Sequence, residues 1–97
     1  MAETQRLDKW LWFARVTKSR SLAAKLVAEG HVRVNSRRVE APAKGVCPGD
    51  VLTVSLERQV RVLKVMGVGE RRGPFSEAKL LFEELQPPLP ASGAAPG

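Results

Sequence analysis

Apolar positions repeat with helical spacing over the first thirty residues. From Arg6 to about Val16 they fall at i, i+3, i+4 and i+7, which predicts a first helix whose core face carries Leu7, Trp10, Leu11 and Ala14. A second helix follows. Ser19 can cap its first turn, and Gly30 can take the left-handed position after its end. Its predicted core face carries Leu22, Ala23, Leu26 and Val27.

The polar residues of the second helix form one stripe. Lys18, Ser21 and Lys25 are spaced i, i+3 and i+7, opposite the apolar arc, and Arg20 stands at the border. A helix with an apolar face and a basic stripe can pack on a core while it offers cations to a partner. The stripe is therefore a candidate binding surface.

After Gly30 the period of the pattern changes to two. Val32–Val34 and Arg37–Val39 read as strands joined by the two-residue turn Asn35-Ser36. This register places Arg33 opposite Arg38. Like charges facing each other on a sheet cost a few tenths to about 1 kcal/mol, which favours an anion between them. A three-residue loop would change these pairs.

The rest of the chain adds further strands and a last helix. We predict an irregular segment at Glu40–Lys44, a turn at Cys47–Asp50, strands at Val51–Leu56 and Val60–Val65, and a helix at Phe75–Leu85. Residues 6–85 are then a single domain. Residues 1–5 and the Pro/Gly/Ala tail at 86–97 are predicted to be disordered.

Charge is concentrated in the first half of the chain. Of 97 residues, 1–45 hold ten Lys and Arg against four acidic residues, whereas 46–97 hold six against six, so the whole net charge of +6 lies in the first half. A clustered basic face is typical of nucleic-acid binding. A single cysteine and no apolar run long enough to span a membrane predict a reducing, cytoplasmic setting with no membrane partner.

Several side chains near this basic face have two interpretations. Trp12 and Phe13 flank the core stripe and either stack on an unpaired base or, as we favour, pack into the core. Asp8 is a candidate to hold Arg15 or Arg20. Two alternatives also stay open for Arg71 and Arg72. They either extend the phosphate-binding surface or pair with Glu83 and Glu84 of the last helix.

The sequence does not predict catalysis. His31 is the only histidine, and no cysteine, serine or carboxylate beside it completes a nucleophile–base pair. Cys47 lies in a turn and is expected to be a small packing residue. We therefore predict a protein that is not an enzyme and holds no metal or cofactor.

Four stretches at their spacing resemble a known family: RLDKWL at 6–11, TKSRSLA at 17–23, EGHVRVN at 29–35 and VCPGDVL at 46–52. They resemble the RNA-binding domain of small-subunit ribosomal protein S-four, the alpha-L motif. The later ERRGP at 70–74 and SEA at 76–78 make the chain most similar to the bacterial stand-alone branch typified by heat-shock protein fifteen. Where this family usually has a glycine after the hairpin asparagine, the chain has Ser36, which implies a longer or strained turn.

The resemblance implies an α+β fold in which two helices pack on a small, mostly antiparallel sheet, with a C-terminal helix. It implies binding of structured ribosomal RNA on the large ribosomal subunit, with a role on stalled subunits carrying peptidyl-tRNA. A monomer is expected. The RNA-binding positions would be Arg6, Lys9, Lys18, Ser19, Arg20, Lys25, Arg33, Asn35, Arg37 and Arg38.

Two other binding classes remain open from the sequence. The short connection between the first two helices would also suit a DNA-binding helix-turn-helix, although basic residues that continue into the hairpin argue against it. The second class is an adaptor, which would use Trp12 and the last helix to hold a partner protein. Binding that persists at high salt would indicate the adaptor.

Overall fold

Two short helices near the start of the chain cover one face of a sheet. In a computed structural model that describes residues 4–85 and 89–90, helix α1 is Leu7–Phe13 and helix α2 is Arg20–Ala28. The four core positions predicted for the first helix are all buried: Leu7, Trp10, Leu11 and Ala14. They join one apolar core with residues of α2 and of the central strands.

Helix α1 ends three residues before the predicted Val16 because the chain turns left-handed at Arg15, with φ 60°. The N–H of Val16 bonds the carbonyl of Leu11, and the N–H of Arg15 bonds that of Trp12, at 2.9 and 3.0 Å. This pair of bonds is the Schellman arrangement, which usually has glycine at the left-handed position. Arginine there is strained.

Helix α2 begins and ends as predicted. The Ser19 hydroxyl oxygen accepts a hydrogen bond from the N–H of Leu22 at 3.1 Å, and Gly30 has φ 82°. The predicted core position of Leu22 is wrong, because this side chain is 49% exposed. The buried arc is centred between Ala23 and Val27, and Leu22 lies roughly 120° away from that centre at 3.6 residues per turn.

The hairpin has the predicted register. Strands β2 (Val32–Val34) and β3 (Arg37–Val39) pair so that Arg33 lies opposite Arg38. Asn35 and Ser36 form a two-residue turn with φ of 51° and 71°. Positive φ at both central residues is the type I′ geometry, whose twist matches that of the strands. The predicted pairing of two arginines is confirmed.

The main sheet is antiparallel throughout. Strands β5 (Val51–Ser55), β6 (Gln59–Val65) and β7 (Phe82–Glu84) continue from the hairpin in the order β3-β2-β5-β6-β7, and β8 (Leu89–Pro90) also pairs with β6. Alternate residues of β2 and β5 are buried under the helices, which is the period expected for a sheet with one covered face.

A second, two-stranded sheet joins the N-terminus to the segment after the hairpin. Strand β1 (Gln5–Arg6) pairs with β4 (Gly45–Val46), so the segment predicted to be irregular leads directly into a strand. The first two N–H groups of α1 bond carbonyls of this segment, Leu7 to Lys44 at 2.8 Å and Asp8 to Pro42 at 3.2 Å. These contacts satisfy donors that a helix cannot satisfy itself.

The predicted helix at Phe75–Leu85 is correct only in its first turn. Helix α3 is Phe75–Ala78, a 3₁₀ turn covers Lys79–Leu81, and the chain then extends into β7. Phe82 pairs with Val65, and its ring lies edge-on to Trp10 with 6.4 Å between ring centroids. Pairing with β6 therefore overrides the helical spacing of the apolar residues.

The proposed domain limits, residues 6–85, stay a prediction. Of the two segments predicted to be disordered, residues 1–3, 86–88 and 91–97 lie outside the described residues. Within those segments Gln5 belongs to β1, and Leu89–Pro90 pairs with Gln59 and Val60 of β6.

The Ser36 backbone gives a testable prediction. Because Ser36 has φ 71° and glycine adopts this conformation without steric cost, we expect Ser36→Gly to raise the free energy of unfolding by about 0.5–1 kcal/mol in urea denaturation. Ser36→Ala is the matched control. Ser36→Ala keeps the Cβ atom and should bring no stabilisation. Equal changes in the free energy of unfolding in the two variants would therefore contradict backbone strain at Ser36.

Candidate nucleic-acid interface

Arg33 and Arg38 lie on the face of the hairpin away from the buried valines, whereas Arg37, opposite Val34, lies on the other face. Val32 and Val34 are buried, whereas Arg33 between them is exposed, as are Arg37 and Arg38. Arg38 has one ion pair, with Glu40 at 3.3 Å, and both side chains are about 60% exposed. Arg33 and Arg37 form no ion pair with any acidic side chain of residues 4–85.

A cleft of about 440 Å³ opens beside the hairpin. We call it the hairpin cleft; its lining is Val34, Asn35, Arg37, Arg38, Val39 and Lys44. Three of these side chains are cationic and none is acidic, so the cleft is suited to a phosphate group. Lys44 is not among the binding residues predicted from the sequence. Its place beside the hairpin depends on the β1–β4 pairing and on the bond of its carbonyl to Leu7.

Asn35 is part of the hairpin's own support. Its side-chain amide donates to Asp50 at 3.1 Å, and its side-chain oxygen accepts from the N–H of Val51 at 2.9 Å. Asp50 also accepts from the N–H of Cys47 at 3.0 Å. Asn35 therefore fixes the turn against the start of β5, and its polar side-chain atoms are engaged within the fold.

Asp8 holds two of the predicted RNA-binding arginines. Its carboxylate is almost fully buried, at 4% side-chain exposure, and lies 3.0 Å from Arg6 and 3.6 Å from Arg20. Arg20 begins α2, so this cluster joins the N-terminal ends of both helices. Of the two partners predicted for Asp8, Arg20 is correct and Arg15 is wrong, because Arg15 donates to the carbonyl of Gly73 at 2.8 Å instead.

The pKa of Asp8 lies below its ordinary value. Burial acts to raise this pKa, but hydrogen bonds from Arg6 and from the N–H of Lys9, with the charges of Arg20 and Arg6, outweigh burial. The carboxylate therefore stays ionised, and both guanidinium groups remain paired and oriented.

The basic stripe of α2 lies on a different groove. Lys18, Ser21 and Lys25 are exposed as predicted, and the two lysines line a groove of about 420 Å³ beside Leu22 and Leu56. Neither lysine lines the hairpin cleft. The structure therefore divides seven of the ten predicted binding residues among the hairpin cleft, the Asp8 cluster and this lysine groove.

Ser19 and Lys9 are two further predicted positions, and neither side chain is fully exposed. The Ser19 hydroxyl caps α2 by accepting from Leu22, so its acceptor function serves the helix. Lys9 is half-buried on α1, next to the Asp8 cluster in sequence. Its contribution to binding stays a prediction.

The aromatic residues at the edge of α1 pack against the protein. Phe13 is buried at 6% exposure and stacks with Trp12, with 5.4 Å between ring centroids. The favoured interpretation, packing, is confirmed for Phe13. Trp12 is half-buried and engaged on one face by this stack.

Neither Arg71 nor Arg72 pairs with Glu83 or Glu84. Arg71 contacts Glu77 at 3.4 Å, and Arg72 donates to backbone carbonyls of Trp12 and Thr17. Glu84 is held by Arg61 through two bonds of 2.9 Å, and the hydrogen bond to Arg61 lowers the pKa of Glu84 despite partial burial. Pairing of Arg71 or Arg72 with Glu83 or Glu84 is therefore wrong.

The remaining reactive side chains show no activation. Burial, with the negative charge and hydrogen bond of Asp50, raises the pKa of the Cys47 thiol, which lowers its thiolate fraction. His31 is exposed, 3.7 Å from Glu29. Among the described residues no group of three or more His, Cys, Asp or Glu side chains could hold a metal, and none of the described helices has the length and apolar character that crossing a membrane requires.

Comparisons with known proteins agree with this geometry. The S4 domain family model matches residues 5–52, which contain both helices and the hairpin. The trimeric heat shock protein 15 of Vibrio cholerae has a TM-score of 0.79 and 36% identity, covering 84% of this chain and 82% of that one. The chain belongs to the heat shock protein 15 family, within the S4-domain proteins.

Two further sets of relatives support the family. Heat shock protein 15 of Escherichia coli K12 is 43% identical over 79 residues, covering 81% of this chain and 59% of that protein. Small ribosomal subunit protein uS4 of Staphylococcus haemolyticus is 39% identical over 54 residues, or 56% of this chain and 27% of that protein. The chain thus spans about three fifths of the Escherichia coli heat shock protein 15.

Asp8 gives a testable prediction on stability. At neutral pH we expect Asp8→Asn to lower the free energy of unfolding by about 1 kcal/mol, because it removes the charge between two half-exposed arginines but keeps a similar shape. The pKa of Asp8 is depressed in the folded state, so its contribution is present above the unfolded pKa of about 3.9 and is lost as the pH falls through the folded value.

Urea denaturation across acidic and neutral pH checks this prediction. The difference between the wild type and Asp8→Asn should shrink on acidification. Glu40→Gln is the control, since it breaks an ion pair between exposed side chains and should change stability by no more than a few tenths of a kcal/mol. A constant difference at all pH values would show that the charge of Asp8 is not what stabilises the fold.

Proposed function

We propose that this chain is a non-enzymatic RNA-binding protein that recognises structured ribosomal RNA through the hairpin cleft and the N-terminal ends of its two helices. The observation that carries the proposal is the cleft itself, where Arg37, Arg38 and Lys44 surround a space with no acidic lining. Arg33, directly opposite Arg38 on the hairpin, adds a fourth cation. An RNA phosphate bound between Arg33 and Arg38 would relieve their mutual repulsion.

The arrangement favours recognition of RNA shape. Phe13 is buried and one face of Trp12 stacks on it, which reduces the aromatic surface that unpaired bases could contact. Arginine forks bind phosphate oxygens in a defined geometry, and phosphates on neighbouring strands of an A-form helix present such oxygens at fixed spacing. The domain alone is therefore expected to have limited sequence specificity and affinity that falls steeply with salt.

The cellular role rests on the family. Relatives include heat shock proteins and a small ribosomal subunit protein. We propose association with the large ribosomal subunit in the cytoplasm, including subunits that carry peptidyl-tRNA. The expected monomer is likewise a proposal, and because the Vibrio cholerae relative is trimeric, sedimentation of the purified chain is the measurement that decides it.

The hairpin arginines provide the direct test. We expect Arg33→Ala with Arg38→Ala to weaken binding to a duplex-containing ribosomal RNA fragment by about tenfold or more, and to reduce the slope of log affinity against log salt by roughly 1.4–1.8. Both side chains are exposed, so the circular dichroism spectrum and the unfolding midpoint should be close to those of the wild type.

A matched control removes the same charge elsewhere. Arg58 and Lys79 are exposed on the β5–β6 turn and before β7, the edge strand opposite to β3. Arg58→Ala with Lys79→Ala should leave affinity within about twofold, because distant exposed charges are screened. Equal losses in the two double variants would mean that only net charge matters and would refute the proposed site.

The ribosomal role has its own experiment. In a sucrose gradient of cell lysate, the wild type should sediment with free large subunits at low salt, and the hairpin double variant should remain at the top. The control double variant should follow the wild type. Absence of the wild type from every ribosomal fraction would contradict the large-subunit role.

A further inference from the structure

The loop between β6 and α3, Met66–Pro74, is bonded along its length to helix α1 and strand β1. The indole N–H of Trp10 donates to the carbonyl of Gly67 at 2.8 Å. The Gln5 side chain makes two bonds with the backbone of Gly69, at 2.7 and 3.0 Å. Phe13 lies so close to Gly69 that a Cβ atom there would be 2.9 Å from its ring. This loop lies outside the segment matched by the S4 domain family, residues 5–52.

At its C-terminal end the loop both accepts hydrogen bonds from the α1–α2 region and donates hydrogen bonds to it. Arg15, in its strained left-handed conformation, donates to the carbonyl of Gly73 at 2.8 Å. Arg72 donates in return to the carbonyl of Trp12 at 3.2 Å and to that of Thr17 at 3.4 Å. The loop and the α1–α2 connection therefore hold each other, and a strained residue persists where its surroundings fix it in this way.

From Thr17 the bonds continue to the start of α2. The Thr17 hydroxyl donates to the carbonyl of Ser19 at 2.9 Å, and the Ser19 hydroxyl accepts from the N–H of Leu22 at 3.1 Å. Lys18 lies between Thr17 and Ser19, and Arg20 follows directly. Arg72 is thus connected through three hydrogen bonds to the segment that carries three of the predicted RNA-binding residues.

We propose that Arg72 is a positioning residue for RNA binding: it fixes the α1–α2 connection, and with it Lys18 and Arg20, in the conformation that meets RNA. The inference rests on the proposed function and deepens it. The Met66–Pro74 loop then has the role of holding the α1–α2 connection, which carries Lys18 and Arg20, in place.

The geometry separates this role from direct phosphate binding. Arg72 is half-buried, and its Nε and Nη2 atoms each face a backbone carbonyl. A planar fork can reach both carbonyls at once, whereas the single ammonium group of lysine cannot reproduce that geometry. Replacement by lysine therefore keeps the charge and removes the support.

Arg71 is the matched comparison for the test. It is the neighbouring arginine, its side chain is 76% exposed, and its ion pair is with Glu77 in the same C-terminal region. Binding of the duplex-containing RNA fragment would be measured for Arg72→Lys, Arg72→Ala, Arg71→Lys and Arg71→Ala. We expect both Arg72 variants to lose about fivefold in affinity, as the loss of one or two hydrogen bonds allows, and both Arg71 variants to stay within about twofold.

The double variant of Lys18→Ala with Arg72→Lys tests the coupling. If Arg72 acts through the α1–α2 connection, Lys18→Ala should reduce RNA affinity less in the Arg72→Lys background than in the wild type. The reason is that Lys18 is already displaced in Arg72→Lys. If the losses of affinity in Lys18→Ala and Arg72→Lys simply add in the double variant, the proposal is contradicted. Wild-type affinity in Arg72→Lys together with weak binding in Arg72→Ala would identify Arg72 as a charge contact and overturn it.

Amide hydrogen exchange gives a measurement that needs no RNA. In Arg72→Lys, exchange should accelerate at residues 15–22 and remain at the wild-type rate in the hairpin, residues 32–39. Uniform acceleration would show a general loss of stability and overturn the positioning role. A wild-type chain that binds no RNA would refute the proposed function itself, and the exchange pattern would still distinguish that failure from failure of the Arg72 support.

Discussion

Helix α1 can exist only because distant parts of the chain complete it. A helix of seven residues is not stable alone in water, since the cost of its nucleation is not recovered over so few turns. Its apolar face is buried in the core, carbonyls of Lys44 and Pro42 accept from its first N–H groups, and Arg72 donates to a carbonyl of its last turn. The segment after the hairpin and the Met66–Pro74 loop are therefore fixed to the same short helix.

This dependence explains how a small protein keeps cations in place. Asp8, buried on α1, holds Arg6 and Arg20, so the position of α2 is linked to that of α1 by charge as well as by apolar packing. The segment that accepts the bonds of α1 also brings Lys44 to the hairpin cleft. One helix thereby orients cations that belong to three separate parts of the chain.

Local features of the fold could be predicted from the sequence, and features that depend on distant pairing could not. The Ser19 cap, the Gly30 position and the two-residue hairpin turn are set by residues a few positions apart, and all are confirmed. The apolar spacing around Phe82–Glu84 predicts a helix, and only pairing with β6 makes this segment a strand.

The candidate site shows the same division. Arg33 and Arg38 could be placed opposite each other because turn length fixes hairpin register. The contribution of Lys44 to the hairpin cleft and the contacts of Arg72 with the α1–α2 connection join residues that are far apart in sequence. No periodicity or motif within either segment indicates such a contact, so neither could be found before the structure.

The central claim is that RNA meets the hairpin and the start of α2. The most direct measurement is an NMR titration of the isotope-labelled chain with a duplex-containing ribosomal RNA fragment, following the backbone amide signals. We expect shifts at residues 17–22, 33–38 and 44, with little change at residues 57–61 and 79–84. Shifts centred on those last two segments, with the hairpin unchanged, would contradict the account.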